Sequence, residues 1–392
     1  MTKYRIQGGT LITEQGLKER DLLVAGGAIE AIIDRDTPTS SEYLSIDAVG
    51  HYVSAGFVDI HQHGGGGKDY MEDDFNTYLY ATEAHLAHGT TSVMPTLLSA
   101  DTEGLKTAIR AYKKAKADDR IRANLIGIHI EGPYISPDQA GAQKPEHIRI
   151  FDEAEYRNIT ELGEGHVRRW SVAPEVEGAE KFAQFAKENG ITLSIAHSNA
   201  DFETVLRAYE QGYRHVTHLY SCTSTIVRRG GFRVPGVLEA AYYLDDMDVE
   251  IIADGCHLPH ALLAYIAKFK KHDRIALITD AMRAAGQNEA KSFLGSPEDP
   301  LPVIIEDGVA KLEDRTAFAG SIATADRLIR NMIESGVSLC DAVQMMTANP
   351  IRMMAPDLKK GVLRPGFDAD LCVFDPNIQM KTVFCNGKIV VE

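Results

Sequence analysis

Long apolar runs are absent from this 392-residue sequence, and no stretch of about 18 apolar residues predicts a membrane-spanning helix. The first residues, MTKYRIQGGTLIT, alternate like a strand and lack the apolar core of a signal peptide. Cysteine is sparse and forms no CxxC pair, which argues against a zinc finger or a disulfide framework. The five cysteines are Cys222, Cys256, Cys340, Cys372 and Cys385. We therefore expect a protein of the reducing cytoplasm with no membrane partner.

Basic residues are also fewer than acidic ones. The sequence has 41 lysines and arginines against 56 aspartates and glutamates, a formal net charge of -15. Nucleic-acid binding needs a basic footprint, so no nucleic-acid partner is expected. Hydrophobic residues at 44% and charged residues at 25% are typical of a globular protein. Histidine is plentiful by contrast, and the positions of several of the 14 histidines carry information.

Eight short apolar runs, separated by helix-like stretches, occupy the middle of the chain. Several are apolar almost throughout, as expected of strands buried on both faces. The stretch AEKFAQFAKENG between two of them has helical spacing and ends on a glycine, a common C-cap. The runs are FVDIHQH (57–63), TTSVMPT (90–96), NLIGIHIE (124–131), RWSVAPE (169–175), TLSIAH (192–197), HVTH (215–218), VEIIADG (249–255) and RIALITD (274–280). Eight strand–helix units over about 250 residues predict an α/β fold of the (β/α)8 TIM-like barrel type.

The two ends of the chain differ from this middle part. Residues 1–53 contain alternating segments with glycine turns, such as YRIQGGTLIT, and the tail repeats that character in ADLCVFD and TVFCNGKIVVE. Alternation with turn residues is typical of antiparallel strands. We predict a small β-sandwich domain built from residues 1–53 and 355–392, flanking a barrel of residues 54–354. The alternative is that the ends form two unrelated appendages.

Six polar side chains end the predicted barrel strands. His61 and His63 lie two residues apart on the first strand and therefore point to the same face. A lone histidine at a strand end is more often structural, but in a barrel these ends together line the active site. Imidazoles and carboxylates are suitable ligands for Zn²⁺ or a similar divalent ion. The other four residues are Glu131, His197, His218 and Asp280, at the ends of strands three, five, six and eight.

The order HxH, Glu, His, His, Asp on successive strands resembles the amidohydrolase superfamily. Longer motifs are similar to those of the N-acetylglucosamine-6-phosphate deacetylase family, and the similarity extends over nearly the whole chain. These motifs are HIEGPYISPDQAGAQ (129–143), SIAHSNA (194–200), VTHLY (216–220), IADGCHL (252–258), LITDAMRAAG (277–286) and FAGSIATADRLIRNMI (318–333). The resemblance implies a metal-dependent hydrolase of linear amide bonds with the barrel fold of that superfamily.

The resemblance also implies roles for the six residues. Glu131, His197 and His218 would hold the principal metal, and His61 and His63 a second one. Asp280 would be the general acid and base. The metal would be a divalent cation, with zinc favoured over iron, manganese or cobalt, and one or two ions per subunit.

A phosphorylated amino sugar is the substrate that the resemblance implies. The reaction would convert N-acetyl-D-glucosamine 6-phosphate to glucosamine 6-phosphate and acetate, in amino-sugar catabolism. The epimeric N-acetylgalactosamine 6-phosphate, or another small amide, is the alternative. Arg233 and His257 would bind the phosphate or the hydroxyls. The expected substrate-binding residues are Ala142, Gln143, Ser221, Cys222, Arg233, His257, Ala319, Gly320 and Ser321. Members of this family are commonly homodimers, and the arginine-rich segment 226–233 could reach a neighbouring active site.

Two departures from the family's pattern bear on the substrate. Many members have histidine where this chain has Gln143, and a glutamine cannot carry charge; a second metal could then polarise the amide carbonyl. Ser221 and Cys222 replace the usual Asn-Ala, in a segment that adds Arg228 and Arg229. These arginines could bind the substrate phosphate, or they could equally well belong to a solvated loop or a subunit contact.

Other interpretations are less consistent with the sequence. Cyclic-amide hydrolases of the dihydroorotase or hydantoinase type place a carboxylated lysine at the end of strand four, where this chain has Ala173-Pro174-Glu175. A deaminase is not supported by the EGP and DG-H motifs. A non-catalytic scaffold would have lost metal ligands that this chain retains.

Overall fold

A barrel of eight parallel strands forms the centre of the molecule. The computed structural model describes residues 2–392 apart from the side chain of Phe75, so residue 1 of the predicted N-terminal segment lies outside it. Barrel strands 1 to 8 are Phe57–Gln62, Thr90–Leu97, Ile128–Glu131, Val167–Val172, Thr192–Ile195, His215–Val216, Asp248–Ile251 and Ile275–Leu277. A parallel bridge between Gln62 and Ala281 connects the end of strand 8 to strand 1. The predicted (β/α)8 barrel is confirmed.

The strands differ from their predicted bounds mainly at their carboxyl ends. Barrel strand 6 has two residues, and strand 8 ends at Leu277, three residues before Asp280. Strand 3 is preceded by a separate short strand, Asn124–Leu125, which also pairs with strand 2. The apolar runs extend beyond the paired positions, and left-handed backbone at His197, His218 and Asp280 turns the chain out of the strand direction there.

Helices cover the outside of the barrel. The helix Thr102–Lys116 illustrates how the sequence specifies them: the side chain of Asp101 accepts a hydrogen bond from the Gly104 backbone N–H and caps the helix. Leu105, Ile109 and Tyr112 recur at helical spacing and are fully buried, each contributing roughly 1.5–3 kcal/mol. The helices are Phe75–Leu86, Thr102–Lys116, Glu153–Gly163, Ala179–Glu188, Phe202–Glu210, Val237–Tyr243, His260–Phe269, Ala325–Glu334, Leu339–Met345 and Ala348–Met354. Within residues 2–392, none of them has the length and apolarity needed to cross a membrane.

Strands from both ends of the chain form the small β-sandwich. Its six-stranded sheet runs in the order Lys388–Val391, Met380–Cys385, Leu371–Phe374, Tyr52–Ala55, Thr10–Thr13 and Gly16–Lys18. Its four-stranded sheet runs in the order Ala28–Ile33, Asp21–Ala25, Lys3–Gln7 and Tyr43–Asp47. Ile6, Val53 and Phe384 share one buried apolar cluster, so the two ends pack into a common core. This part of the predicted fold is confirmed as well.

Three smaller β elements at the barrel mouth were not expected from the sequence. A three-stranded sheet follows barrel strand 8, and the backbone N–H of Gly295 in it donates to Asp69 Oδ2 at 2.9 Å. Its strands are Lys291–Leu294, Leu301–Glu306 and Val309–Leu312. The other two elements are a strand pair, Gly64–Gly65 with Lys68–Asp69, and a hairpin, Val227–Arg229 with Phe232–Val234.

Candidate active site

All six side chains predicted for the barrel mouth converge there. Glu131 lies at the centre of the four histidines. Its Oε1 is 2.8 Å from His218 Nε2 and 3.4 Å from both His197 Nε2 and His61 Nε2. Its Oε2 is 3.4 Å from His63 Nε2. The carboxylate therefore lies between the imidazole pair of barrel strand 1 and the two imidazoles that follow strands 5 and 6.

Asp280 completes the cluster from the other side. Its Oδ1 is 3.1 Å from His63 Nε2 and 3.4 Å from His61 Nε2. Its backbone is fixed as well: the N–H donates to the His61 carbonyl at 2.9 Å, and the carbonyl accepts from the Ser321 N–H at 2.7 Å. The carboxylate is thus held in one place beside the imidazole pair.

The backbone around these side chains is strained. His197, His218 and Asp280 have φ values of 45°, 28° and 49°, in the left-handed region that non-glycine residues rarely adopt. Such conformations cost on the order of 1–3 kcal/mol each and persist only where the surrounding structure enforces them. The three turns redirect the chain at the ends of strands 5, 6 and 8, and they aim the side chains at a common point.

Hydrogen bonds orient three of the four imidazoles. In each, Nδ1 lies next to an acceptor oxygen and donates to it, so Nε2 is the nitrogen directed into the cluster. The pairs are His197 with the Gln139 carbonyl (2.7 Å), His218 with the Ser221 carbonyl (3.2 Å) and His61 with Glu250 Oε2 (3.3 Å). Nδ1 of His63 has no hydrogen-bond partner among the described residues.

The electrostatics and the donor set suit a divalent cation. Burial lowers the pKa of both His61 and His63, but the carboxylates of Glu131 and Asp280 outweigh it, so these pKa values rise to about 9 and about 10. Burial opposes the charge of Glu131, yet the surrounding imidazoles hold the pKa of that carboxyl well below its usual range. His61 Nε2 is buried with no hydrogen-bond partner in the described chain.

Two groups of ligand atoms are close enough to hold a metal, His61 with His63 and Asp280, and His61 with Glu131 and His218. Imidazole nitrogens and carboxylate oxygens are the ligands of hydrolytic zinc sites. The residues present therefore fit the metal dependence of amidohydrolases.

A cavity of about 290 Å³ opens above the cluster. Among the predicted substrate-binding residues, its lining includes Ala142, Gln143, Ser221, Cys222, His257 and Gly320. Ala319 and Ser321 flank Gly320, whose φ of 68° and close approach to the Asp280 carbonyl (2.8 Å from an added Cβ) require glycine. The sequence reasoning missed five further lining residues. Tyr220 and Phe318 lie within quoted motifs but were not singled out, and Leu98, Leu294 and Ala317 lie outside the motifs.

Gln143 is engaged in holding Glu131. Its side-chain Nε2 donates to Glu131 Oε2 at 2.9 Å, and its Oε1 accepts from the Ser99 backbone N–H at 3.0 Å. The amide is therefore fixed at both ends. It orients the central carboxylate, a role in which the uncharged amide suffices.

His257 stands at the opposite wall of the cavity. Its Nδ1 donates to Asp254 Oδ2 at 2.8 Å, and its ring packs edge-on against Phe318 with centroids 4.7 Å apart. Asp254 Oδ1 in turn accepts the backbone N–H groups of Cys256 and His257. The imidazole is thus fixed, with Nε2 left for a ligand.

Arg233 does not join the other predicted residues. It lies on the hairpin Val227–Arg229 with Phe232–Val234, where it is exposed and pairs in register with Arg228. It is not among the lining residues of the cavity in the described chain. No arginine or lysine lines that cavity within residues 2–392, so the nitrogen donor that one chain brings to the wall opposite Gln143 is the imidazole of His257.

Comparison with known proteins agrees with this geometry. The model of the amidohydrolase family matches residues 52–390. N-acetylglucosamine-6-phosphate deacetylase of Bacillus subtilis is 32% identical over 339 residues, 85% of this chain and 83% of that protein. N-acetylgalactosamine-6-phosphate deacetylase of Escherichia coli O157:H7 is 30% identical over 382 residues, 97% of both.

This chain is also similar to a solved structure over its whole length. A mutant N-acetyl-D-glucosamine-6-phosphate deacetylase of Mycobacterium smegmatis, in complex with N-acetyl-D-glucosamine-6-phosphate, superimposes with a TM-score of 0.91 at 29% identity, covering 100% of both chains. The similarity extends over the barrel, the small β-sandwich and the segments that carry the six clustered side chains. The chain therefore belongs to the amidohydrolase family, and within it to the N-acetylglucosamine-6-phosphate deacetylase family, and it is a hydrolase of amide C–N bonds.

Proposed function

We propose that this protein hydrolyses N-acetyl-D-glucosamine 6-phosphate to glucosamine 6-phosphate and acetate, with help from a divalent cation. The observation that carries the proposal is Glu131, set between four imidazoles at the floor of a cavity of about 290 Å³. Relatives that act on this sugar phosphate share the fold over the whole chain. The second candidate is N-acetylgalactosamine 6-phosphate, favoured by the 30% identity over 97% of the Escherichia coli enzyme.

The cation would be held at two adjoining positions. Glu131, His197 and His218 would hold the principal ion, and His61 and His63 a second one with Glu131 between them. The nitrogen-rich set favours zinc, with iron, manganese and cobalt as alternatives. When bound, such an ion lowers the pKa of water and polarises a carbonyl group.

Asp280 would move the protons. Its fixed carboxylate accepts the proton of the attacking water and delivers it to the leaving nitrogen, acting first as base and then as acid. Burial works against its ionisation, but the imidazoles of His61 and His63 keep its pKa below the usual value, so it is ionised at neutral pH. A group that starts ionised is in the correct form to act as the base.

The sugar would lie across the cavity, between Ala142 and Gln143 on one side and Ser221 and Cys222 on another. The segment Ala319, Gly320 and Ser321 closes the wall beside Asp280. His257 would bind the phosphate, at the end of the sugar far from the acetamide. Binding energy from that end would hold the acetamide against the cation.

Arg233→Ala is expected to lower kcat/KM for the 6-phosphate by about 30- to 900-fold, because Arg233, exposed in one chain, would be buried against the phosphate in a homodimer. This range is the equivalent of the ~2–4 kcal/mol lost when one partner of a buried charged pair is removed. The substrate is an anion and the chain carries a net charge of -15, so a local cation must offset the repulsion. Arginine adds a bidentate fork that orients phosphate. Steady-state acetate release measures the effect.

Slow turnover of the unphosphorylated N-acetyl sugar should hardly change in the same variant. The matched control is Arg157→Ala, which removes an exposed arginine paired with Glu153 on an outer helix. Equal losses on both sugars would assign Arg233 to the fold or to a subunit contact.

A homodimer would bring Arg233 to a phosphate. The hairpin that carries Arg233 also exposes apolar side chains, with Phe232 at 79% and Val227 at 43% exposure. Exposed apolar groups beside arginines are typical of protein interfaces. We therefore predict a dimer in which the hairpin of one chain reaches the cavity of the other. A stable, active 43.0 kDa monomer in sedimentation at micromolar concentration would contradict this prediction.

A panel of sugars tests the proposed substrate. Acetate release is measured from N-acetylglucosamine 6-phosphate, from its galactosamine and mannosamine epimers, and from the unphosphorylated sugars. We expect the highest kcat/KM with the glucosamine 6-phosphate. Preference for the galactosamine epimer would support the second candidate, and preference for an unphosphorylated sugar would refute both. We expect the reaction to take place in the cytoplasm, in keeping with five cysteines that are all unpaired in the described chain.

A further inference from the structure

The barrel interior beneath the candidate active site contains a buried ion pair. Arg169 of barrel strand 4 and Glu250 of barrel strand 7 are both fully buried. The guanidinium donates to both carboxylate oxygens, with Arg169 Nη2 at 2.9 Å from Glu250 Oε2. Bulky apolar side chains usually fill this layer of a (β/α)8 barrel. A charged pair in that position needs an explanation.

The remaining donors of Arg169 are satisfied by neighbouring strands. Nε donates to Ser194 Oγ at 3.0 Å, Nη2 to Thr217 Oγ1 at 2.7 Å, and Nη1 to the Ile60 carbonyl at 3.3 Å. The guanidinium thus ties strands 1, 5, 6 and 7 to strand 4. Desolvation of two charges costs more than their attraction commonly returns, so stability alone does not account for the pair.

Glu250 connects the pair to the candidate metal site. Its Oε2 accepts the Nδ1–H of His61 at 3.3 Å, so Nε2 of that imidazole faces Glu131 and Asp280. Below the ring, His129 packs edge-on with centroids 4.6 Å apart. His61 is therefore fixed by a carboxylate on one side and by a ring beneath it.

His129 is itself immobilised. Its Nδ1 lies 3.0 Å from Thr96 Oγ1 and its Nε2 lies 2.6 Å from Ser171 Oγ. Both ring nitrogens are therefore engaged by hydroxyl groups, which hold the ring in place beneath His61.

The other imidazoles of the site do not depend on this pair. His197 and His218 donate to the backbone carbonyls of Gln139 and Ser221. His61 is thus the one imidazole of the cluster, within the described chain, whose Nδ1 is held by a side chain. Among the imidazoles of the cluster, a substitution at Glu250 removes a direct hydrogen bond from His61 alone.

We propose that Arg169 and Glu250 form a positioning pair, in which Arg169 fixes Glu250 and Glu250 fixes the tautomer and orientation of His61 for the second cation. The inference rests on the proposed function, because it requires the cation positions described there. Carboxylates that accept the distal N–H of a metal-bound histidine typically contribute 10- to 100-fold to metal affinity.

The test uses chelator competition to measure, in each protein variant, the affinity of the principal cation position and that of the second position. The variants are Glu250→Gln, which keeps the size of the side chain, and Arg169→Met combined with Glu250→Leu, which leaves no unpaired charge. His61→Ala identifies which of the two affinities belongs to the second position. The control is Asp370→Asn, which breaks a buried pair with Lys360 (2.6 Å) in the small β-sandwich.

We expect both variants to lose affinity at the second position by about 10- to 100-fold, while the principal position is unchanged. The control should keep both affinities. Equal loss at both positions, including total loss from a variant that does not fold, would assign the pair to the fold and overturn the inference. Unchanged affinity at the second position, or a parent protein with one ion, would overturn it too. A parent protein that binds no divalent ion would refute the proposed function instead.

Discussion

Chelation of the purified protein is expected to abolish amide hydrolysis, and addition of a divalent cation is expected to restore it. The physical reason lies in the lining of the cavity: among its described side chains, protonated histidine is the one source of positive charge next to Glu131. An amide carbonyl needs stronger polarisation than that, and a divalent ion supplies it together with an activated water. Metal content and acetate release are measured on the same samples, before and after chelation.

Single substitutions refine this prediction. His197→Ala or His218→Ala should remove the principal ion and with it the activity, whereas His61→Ala should remove only the second ion. The control is His260→Ala, because His260 is an exposed histidine on an outer helix, away from the cavity. Full activity in protein shown to be free of metal would contradict the mechanism.

Asp280→Asn is expected to lower kcat by at least about 100-fold, the usual scale for the loss of general acid–base help. The amide keeps the shape of the side chain, and the backbone hydrogen bonds of residue 280 to His61 and Ser321 are unaffected. What is lost is the oxygen that accepts a proton. Steady-state kinetics and metal analysis on the same preparation measure the two effects separately.

Metal content should change little in this variant. Asp280 Oδ1 lies 3.1 Å from His63 Nε2, so the same carboxylate is close enough to serve as a ligand. Parallel loss of metal and activity would make Asp280 chiefly a ligand and would contradict its role as the base. Asp326→Asn, at a mostly buried carboxylate paired with Arg330 away from the cavity, controls for the effect of neutralising a buried charge.

The sequence predicted the barrel because its strands are apolar on both faces and its helices have regular spacing. It also predicted the small β-sandwich, whose alternating segments pair across the chain ends, as Leu371 does with Ala55. The three-stranded sheet Lys291–Leu294, Leu301–Glu306 and Val309–Leu312 was missed. Its strands are short and only partly buried, so they lack a strong apolar pattern.

The cluster of six side chains was predictable because each lies at or within three residues of the end of a barrel strand, and a barrel brings those ends together. The ion pair beneath the cluster could not be predicted from the sequence. Arg169 and Glu250 lie within apolar runs and are 81 residues apart, and nothing local indicates that they meet. Arg233 shows a further limit: the motif marks the residue, but in the described chain it lies exposed on a hairpin outside the cavity lining. The homodimer that we propose would bring it to a ligand, and the sequence of one chain does not describe such an arrangement.

The most direct test of the central claim is to measure acetate and free amine together, using N-acetylglucosamine 6-phosphate and the metal-loaded protein. The account predicts that both products appear in equal amounts, at a rate that disappears on chelation and drops sharply in Asp280→Asn. Absence of both products from the metal-loaded protein, or equal release after the metal is removed, would contradict it.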